Sequence, residues 1–421
     1  MIVIVGGGIT GLVLALELQR RGIEYVVLES ERRPGGVIKS AEVNGHVVDW
    51  GPQRARLTKG MRELVHDVGL TDQLLLAPPD LPLFIYKAGA LRVVPTSLPS
   101  LLRSDVVGLR EKMRIVAEPF TRGPDPSERV ADFFTRKLGR GLYESVVGPL
   151  YGGLYASDPA DMLVGHSLIH VLKAFDIGRS LTLAWVRNRR QPLPLACSFR
   201  GGMQVLTDAI ATQLGDNLRL GTPARRVHQA GQSWRVDLDS QTVEADAVVL
   251  TTPARTTADL VRDGAPEIAA AIERLTYNTV VVVHLCAETS LRGMGFQVAF
   301  SEGGLALRGV TFNDSLFGRK DLYTAYLGGA FHPDVATMND RDLEQLAIDE
   351  FRLCTGSDAR AMTVGRATIP AWDVSWRALD GMAFPPRLHV AANWWSRVGL
   401  TGRLAEARGL SAELGKGRVG G

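Results

Sequence analysis

The sequence predicts an α/β fold with a parallel sheet whose strands come from distant parts of the chain. The first βαβ unit begins at once, with apolar strands over Ile2–Val5 and Tyr25–Leu28 on either side of a glycine turn at 6–11. The later run Ala247–Leu250 is continuously apolar, which is typical of a parallel strand buried on both faces, and 388–393 is predicted to form one more such strand. The predicted domain is Rossmann-like and discontinuous in sequence.

The glycine turn has the G-x-G-x-x-G spacing of a dinucleotide-binding motif. Gly6 permits the tight turn, Gly8 lets backbone N–H groups approach a pyrophosphate, and Gly11 lets the helix pack close to the strand. Glu29, about 20 residues further on, can hold ribose hydroxyls. We therefore expect a dinucleotide at the N-terminus of a helix over 11–21, where free N–H groups favour phosphate.

The composition is that of an ordinary globular protein of two or three lobes, with 421 residues of which 45% are hydrophobic. A net charge of +3 from 48 basic and 45 acidic residues gives no reason to expect nucleic acid as a partner. No apolar run reaches 18 residues, and three glycines and Glu17 interrupt the N-terminal one, so neither a membrane span nor a signal peptide is predicted.

Cysteine and histidine usage predicts no disulfide framework and no metal site. Cys197, Cys286 and Cys354 form no C-x-x-C pair, and we expect them to be buried thiols in a reducing cytoplasm. The eight histidines show no ligand spacing.

The remaining chain divides into a helical and a strand-rich part. A helical pattern over 58–76 precedes a strand pair over 81–94, and the segment 95–194 reads as an inserted helical lobe. A helix over 340–354 is expected to cover further strands. These strands are predicted at 280–285, 296–300, 306–312 and 322–327.

Several segments together resemble one family. Residues 148–159 are similar to its V-x-G-V-Y-A-G-D-P motif, 199–204 to F-x-G-G-x-Q, and 84–98 to L-Y-x-G-G-x-L-x-x-x-P-T. Residues 309–317 resemble its late strand region, and 367–372 stand where it has A-x-P-x-Y. On these motifs the chain resembles the flavin-dependent amine oxidase superfamily, and within it the oxygen-dependent protoporphyrinogen and coproporphyrinogen oxidases.

The resemblance implies non-covalently bound FAD and a three-part architecture. The FAD-binding domain would comprise 1–80, 195–265 and 380–421, a mixed-sheet α+β substrate domain 81–95 and 266–379, and the helical lobe 96–194. The cofactor-binding residues it implies are Gly6, Gly8, Ile9, Thr10, Gly11, Glu29, Ser30, Gly36, Val37, Gly51, Pro52, Gln53, Val227, Trp372, Val398, Gly399 and Leu400.

The implied reaction is hydride abstraction from a porphyrinogen, a tetrapyrrole, by the flavin, with O₂ as the electron acceptor. This mechanism requires no catalytic base, and none is predicted. Thr311 and Tyr326 would line the substrate slot, although an ordinary strand core explains them equally well. Pro99 stands where relatives place an arginine for a substrate propionate, so Arg92 or Arg103 is expected to take that role, with Arg179, Arg187 and Arg308 as further candidates.

Three functions remain open on the sequence alone. The first is oxidation of protoporphyrinogen IX, or of coproporphyrinogen III, in haem biosynthesis. The second is amine or carotenoid oxidation on the same fold. An amine oxidase needs paired aromatics facing the flavin, but the adjacent Trp394 and Trp395 would point opposite ways if the strand continued through them. The third is a flavoprotein-like binding module without catalysis.

The expected location is the cytoplasm, with at most a peripheral contact to the inner face of the membrane. This expectation rests on the apolar helical lobe and its arginines, including the run at 187–190, which reads as a solvated basic surface or a weak contact with anionic lipid.

Overall fold

The protein is described by a computed structural model that covers residues 1–188, 193–396 and 399–416. Its strands are β1 (Ile2–Val5), β2 (Tyr25–Leu28), β3 (Ser40–Val43), β4 (His46–Asp49), β5 (Ala55–Arg56), β6 (Leu74–Leu76), β7 (Leu83–Lys87), β8 (Ala90–Val93), β9 (Ala196–Phe199), β10 (Leu218–Arg219), β11 (Ala224–Ala230), β12 (Ser233–Leu238), β13 (Thr242–Ala245), β14 (Ala247–Leu250), β15 (Tyr277–Cys286), β16 (Gly295–Val298), β17 (Leu307–Phe312), β18 (Leu322–Gly328), β19 (Arg360–Pro370) and β20 (Leu388–Val390).

The α-helices alternate with these strands and dominate the segment between β8 and β9. They are α1 (Ile9–Arg20), α2 (Lys59–Asp67), α3 (Leu98–Arg103), α4 (Leu109–Ala117), α5 (Val130–Leu138), α6 (Arg140–Leu142), α7 (Gly148–Gly153), α8 (Ile169–Ala174), α9 (Leu181–Asn188), α10 (Gln204–Leu214), α11 (Ala254–Val261), α12 (Pro266–Glu273), α13 (Asn313–Phe317), α14 (Asp340–Thr355) and α15 (Leu400–Lys416).

A five-stranded sheet in the order β10-β2-β1-β14-β20 forms the first structural core, and all its strands are parallel. Every residue of β1, β2 and β14 is buried, as their continuous apolar runs require. Helices α1, α10 and α15 pack against this sheet through Leu14, Ile210 and Leu404. The predicted α/β architecture is confirmed.

The second core is a seven-stranded mixed sheet in the order β19-β15-β18-β17-β16-β7-β8. Side chains alternate between its faces. On β18, Tyr323 and Ala325 join the hydrophobic core that contains Phe351 of α14. Thr324 and Tyr326 therefore lie on the opposite face of the sheet, away from α14.

The strands of the two sheets come from separate sets of segments. Those of the parallel sheet fall within 1–80, 195–265 and 380–421, and those of the mixed sheet within 81–95 and 266–379. We propose that these segments are the two domains, with 96–194 as the helical lobe.

The helical lobe contains a fully buried ion pair. Lys137 Nζ of α5 lies 2.9 Å from Glu118 Oε1, and both side chains are inaccessible to solvent. Glu118 also accepts hydrogen bonds from the Ser180 hydroxyl and from the N–H groups of Leu181 and Thr182. Burial opposes ionisation of Glu118, but the hydrogen bonds from Ser180 and Lys137 keep its pKa below the ordinary value. The pair thus ties α5 to the start of α9.

Within the described residues, no helix is both long and apolar enough to cross a membrane.

Two predicted elements are shorter in the structure. The helix predicted over 58–76 ends at Asp67, because Gly69 adopts a left-handed conformation with φ +73°, and the chain continues into a short 3-10 turn and β6. The strand predicted over 388–393 ends at Val390. Trp394 and Trp395 therefore do not alternate across a sheet, and their rings meet edge to face with centroids 6.0 Å apart.

The sequence did not predict β19, the longest strand described. It pairs only with β15 and forms an edge of the mixed sheet. Most of its residues are half-buried, so the apolar alternation that marks a strand is weak there. The expectation of three buried thiols was wrong for Cys286, which is partly exposed at the end of β15, whereas Cys197 and Cys354 are buried.

Candidate active site

The glycine turn leaves open space at the N-terminus of α1. Gly8 precedes the helix in an extended conformation, and no side chain caps the helix at this position. A Cβ atom added at Gly8 would have no heavy atom within 4 Å, whereas one added at Gly11 would lie 2.1 Å from the Gly6 carbonyl oxygen. Gly8 thus faces free space and Gly11 a tight helix-to-strand contact. This arrangement fits a pyrophosphate held by backbone N–H groups.

Glu29 is held in place by its neighbours at the end of β2. Its Oε2 accepts the Gly7 N–H at 2.6 Å, and its Oε1 accepts the Glu31 N–H at 2.8 Å and the Ser30 hydroxyl at 3.2 Å. A carboxylate has about four acceptor positions. One therefore remains for a ribose hydroxyl, and Ser30 supports Glu29 in this arrangement.

The glycine pair Gly35–Gly36 lies beside the glycine turn at 6–11. Gly35 donates its N–H to the Gly7 carbonyl at 2.8 Å, and a Cβ atom at Gly36 would lie 3.4 Å from the Cα of Gly8. Val37, the next residue, is 67% exposed, which is a large fraction for an apolar side chain. Thr10 is buried in α1, and Ile9 is half-buried. Both residues stand in the first turn of α1, where their backbone N–H groups can contribute to phosphate binding.

Gln53 joins the end of the β3–β4 hairpin to the mixed sheet. Its amide nitrogen donates to the carbonyls of Asp49 and Gly51, and its amide oxygen accepts from Asn313 Nδ2 at 3.4 Å and Thr324 Oγ1 at 3.2 Å. Gly51 packs so closely that a Cβ atom would lie 2.0 Å from the Val37 carbonyl oxygen. The segment that includes Pro52 is therefore fixed between the β3–β4 hairpin and the mixed sheet.

A buried ion pair crosses the same boundary. Arg319 Nη1, from the turn between α13 and β18, lies 2.7 Å from Asp49 Oδ2 at the end of β4. The other Asp49 oxygen accepts the Ser40 hydroxyl and, at 2.8 Å, the Met203 N–H. Arg319 also donates to Ser198 Oγ at 3.1 Å. Neither charged side chain was singled out from the sequence, because their pairing requires residues 270 positions apart to meet.

His284 of β15 lies next to this pair and is fully buried. Its Nδ1 is 3.0 Å from Thr324 Oγ1, and its ring packs edge to face on Trp50. Burial, together with the positive charge of Arg319, lowers the pKa of His284 to about 4. The imidazole is therefore neutral in the folded protein at neutral pH.

We expect the stability of the protein to fall as the pH drops below about 6.5. His284 takes up a proton in the unfolded chain near pH 6.5 but in the folded protein only near pH 4. Between pH 7 and pH 5 this difference should cost about 2 kcal/mol of unfolding free energy. Urea unfolding at both pH values measures it. The unfolding free energy of His284→Gln should depend less on pH than that of wild type. The control is the exposed-site variant His66→Gln, whose pH dependence should equal that of wild type. Equal pH dependence in all three proteins would contradict the assignment.

Thr311 and Tyr326, the predicted slot residues, meet on the face of the mixed sheet that is turned away from α14. The Thr311 hydroxyl lies 3.3 Å from the Tyr326 hydroxyl. Burial raises the pKa of Tyr326, so the phenol stays protonated and can donate a hydrogen bond. Arg54, which directly follows Gln53, interacts electrostatically with Tyr326.

The remaining predicted cofactor residues lie at three places. Trp372 is buried with φ +53°, stacks on Trp376, and its ring N–H has no partner among the described residues. Val227 is buried on β11, an edge strand of the sheet β11-β12-β13. Gly399, with φ +78°, directly precedes α15, which begins at Leu400. Val398 lies outside the described residues. The Trp372 indole N–H and the unpaired backbone edge of β11 are available to hydrogen-bond a cofactor.

The predicted propionate-binding arginines do not join the Thr311–Tyr326 pair by any contact described. Arg92 of β8 pairs with Asp105, and Arg103 is exposed on α3. Arg179 donates to backbone carbonyls of the lobe, and Arg187 pairs with Asp176. Arg308 lies over the ring of Phe331 with its guanidinium carbon 4.6 Å from the ring centroid. Residues 189 and 190 lie outside the described residues. A substrate role for Arg92 or Arg103 stays a prediction.

The chain matches the family model described as flavin-containing amine oxidoreductase over residues 9–402. It is 26% identical to the chloroplastic protoporphyrinogen oxidase of Nicotiana tabacum, over 83% of this chain and 71% of that protein. It is 29% identical to the protoporphyrinogen oxidase of Homo sapiens, over 78% of this chain and 77% of that protein.

A solved structure from Exiguobacterium sp. 255-15, of a protein provisionally named a protoporphyrinogen oxidase, superposes with a TM-score of 0.80. It covers 99% of this chain and 98% of that one at 21% identity, which shows a shared fold. The family match spans most of the chain, including α1, the mixed sheet, the helical lobe and every strand of the parallel sheet except β1. The open space at Gly8 and the carboxylate of Glu29 fit the cofactor of that family. The chain belongs to the flavin-containing amine oxidoreductase family and is an FAD-dependent oxidoreductase.

Proposed function

We propose that the protein oxidises a porphyrinogen to a porphyrin, with O₂ as the electron acceptor. The observation that carries this proposal is the similarity to protoporphyrinogen oxidases from plants and animals, at 25–29% identity over 78–90% of the chain. The substrate we propose is protoporphyrinogen IX, within haem biosynthesis, with coproporphyrinogen III as the alternative.

The bound flavin would accept a hydride from a meso carbon of the substrate. Conversion to the aromatic porphyrin removes six electrons, so three molecules of O₂ become three of H₂O₂ for each porphyrin formed. The protein's own part is to hold an apolar, flat molecule and exclude water. The face of the mixed sheet around Thr311 and Tyr326 supports this part, because it lies against the Gly51–Gln53 segment, which the family resemblance places at the flavin. The cofactor residues named above stay part of this proposal.

Turnover of both porphyrinogens by the purified protein tests the function. We expect porphyrin fluorescence to rise with three H₂O₂ formed for each porphyrin, and the ratio of kcat/KM values identifies the preferred substrate. Turnover of a primary amine without turnover of either porphyrinogen would overturn the proposal. A flavin that no substrate reduces would instead indicate a binding module.

We further propose a cytoplasmic location with a peripheral membrane contact through the helical lobe. Leu109, Met113 and Val116 of α4 are 74%, 58% and 70% exposed, and Phe120 beyond the helix is 84% exposed. The spacing of four and three residues places the three helical positions on one face. Such an apolar stripe can enter the headgroup region of a bilayer without spanning it.

We expect the protein to sediment with vesicles that contain anionic lipid and to be released by substitutions in this stripe. A Met113→Glu/Phe120→Glu variant should bind at least about tenfold more weakly, because two apolar side chains lose their burial. Leu353→Glu is the control, since Leu353 is 60% exposed on α14 of the mixed-sheet core. Equal binding by all three proteins would contradict the membrane contact.

A further inference from the structure

Arg54 is a half-buried cation whose guanidinium group is incompletely hydrogen-bonded. It lies between Gln53, whose amide is fully engaged, and β5. Its Nη1 is inaccessible to solvent and has no hydrogen-bond partner among the described residues. A buried guanidinium group that lacks a partner is costly, because the desolvated charge is not compensated.

The nearby charged groups leave one positive charge uncompensated. Asp49, which together with Arg54 acts electrostatically on Tyr326, is already paired with Arg319. His284, beside that pair, is neutral at neutral pH. Burial lowers the pKa of Arg54 and the charge of Arg56 lowers it further, whereas Tyr326 opposes this effect. The site around Arg54 is therefore suited to a ligand that brings one negative charge.

Hydrogen-bond donors for such an anion lie on the same face of the mixed sheet as Thr324, which contacts Gln53, the residue before Arg54. The Tyr326 phenol stays protonated, and its oxygen lies 3.3 Å from the Thr311 hydroxyl. A guanidinium group with two hydroxyls beside it is well suited to a carboxylate, which accepts several hydrogen bonds at once.

We propose that Arg54, with Tyr326 and Thr311 beside it, binds a carboxylate of the substrate. The inference rests on the proposed function, since a porphyrinogen carries its carboxylates on propionate side chains. It places the carboxylate at the face of the mixed sheet rather than at Arg92 or Arg103. Arg92 and Arg187 pair with Asp105 and Asp176, whereas Arg54 has no acidic partner among the described residues.

A negatively charged flavin atom could supply the same chemistry, but the substrate is the better match. The two hydroxyl groups belong to β17 and β18 of the mixed sheet, whereas the glycine turn that fits the pyrophosphate belongs to the parallel sheet. Binding of the flavin alone would not need donors from both strands.

The test compares one ligand with and without its carboxylates. Protoporphyrin IX and its dimethyl ester are titrated into the FAD-loaded protein, and binding is followed by quenching of flavin fluorescence. Wild type should prefer the free acid. Arg54→Gln should weaken free-acid binding about 10- to 100-fold and leave ester binding unchanged. Arg54→Lys should restore part of the preference. The control is Arg56→Gln, an exposed neighbour that donates to the Pro194 carbonyl and should behave as wild type.

The other outcomes are separable. Equal weakening of acid and ester binding in Arg54→Gln would overturn the inference and indicate a structural role. Loss of FAD, or a shifted flavin potential with the acid preference retained, would overturn it in favour of a flavin contact.

If the proposed function is wrong, the wild-type protein will turn over neither porphyrinogen. In that case, binding of benzoate, a simple carboxylate, tests the carboxylate site independently. A flavin absorption change on benzoate binding that is present in wild type and absent in Arg54→Gln would support a carboxylate site of another substrate, and no change in wild type would overturn it.

Discussion

Gly8→Val is expected to yield a folded protein that does not retain FAD. A Cβ atom at this position would have no heavy atom within 4 Å, so the valine meets no protein atom there. It does fill the space in front of the first N–H groups of α1, where the pyrophosphate would lie. Loss of charge-assisted hydrogen bonds to that group should weaken FAD binding by about 100-fold or more.

Gly11→Val is the contrasting variant, because it tests the other role of the same motif. Its Cβ atom would lie 2.1 Å from the Gly6 carbonyl oxygen, so α1 must move away from β1. We expect it to lower the unfolding free energy by about 1–3 kcal/mol even without cofactor. FAD content from absorbance and unfolding of the apo-proteins distinguish the two. A Gly8→Val protein that retains FAD would contradict the assigned position of the pyrophosphate. Acid precipitation of wild type should release its flavin, since we expect no covalent link.

Arg319→Met is expected to lower the unfolding free energy by about 3–5 kcal/mol. Asp49 is 1% exposed, and loss of Arg319 would leave its charge buried beside β4 without a counterion. The double variant Asp49→Asn/Arg319→Met should recover part of the loss, because it removes the charge that the single variant leaves unpaired.

An exposed ion pair supplies the control for this prediction. Arg225 Nε lies 2.7 Å from Asp239 Oδ1, and the two side chains are 60% and 62% exposed. Arg225→Met should cost far less than Arg319→Met, since solvent screens that pair. Chemical denaturation of the four proteins measures the differences. A loss in Arg319→Met no larger than in Arg225→Met would show that the buried pair does not stabilise the fold.

The elements that the sequence predicted well are those with strong local signals. The β1–α1–β2 unit agrees with its prediction to within two residues at each boundary, because its glycine turn and uniformly apolar strands have few alternative structures. The β7–β8 hairpin was also predicted, from strand patterns on either side of the turn that contains Gly89. In the structure Ala88 and Gly89 adopt positive φ in this turn. β19 was missed because an edge strand is half-exposed and lacks a clear apolar alternation.

The sequence by itself determined the cofactor class and the architecture, since G-x-G-x-x-G, Glu29 and the apolar runs act through neighbours along the chain. Only the tertiary structure showed how the segment around β4 meets the mixed-sheet part of the chain. Gln53 contacts Thr324, and Asp49 contacts Arg319, across about 270 residues. Arg54 looked like one of many arginines in the sequence. Its importance follows from burial and from the lack of an acidic partner among the described residues, and both are set by how distant segments pack rather than by any local pattern.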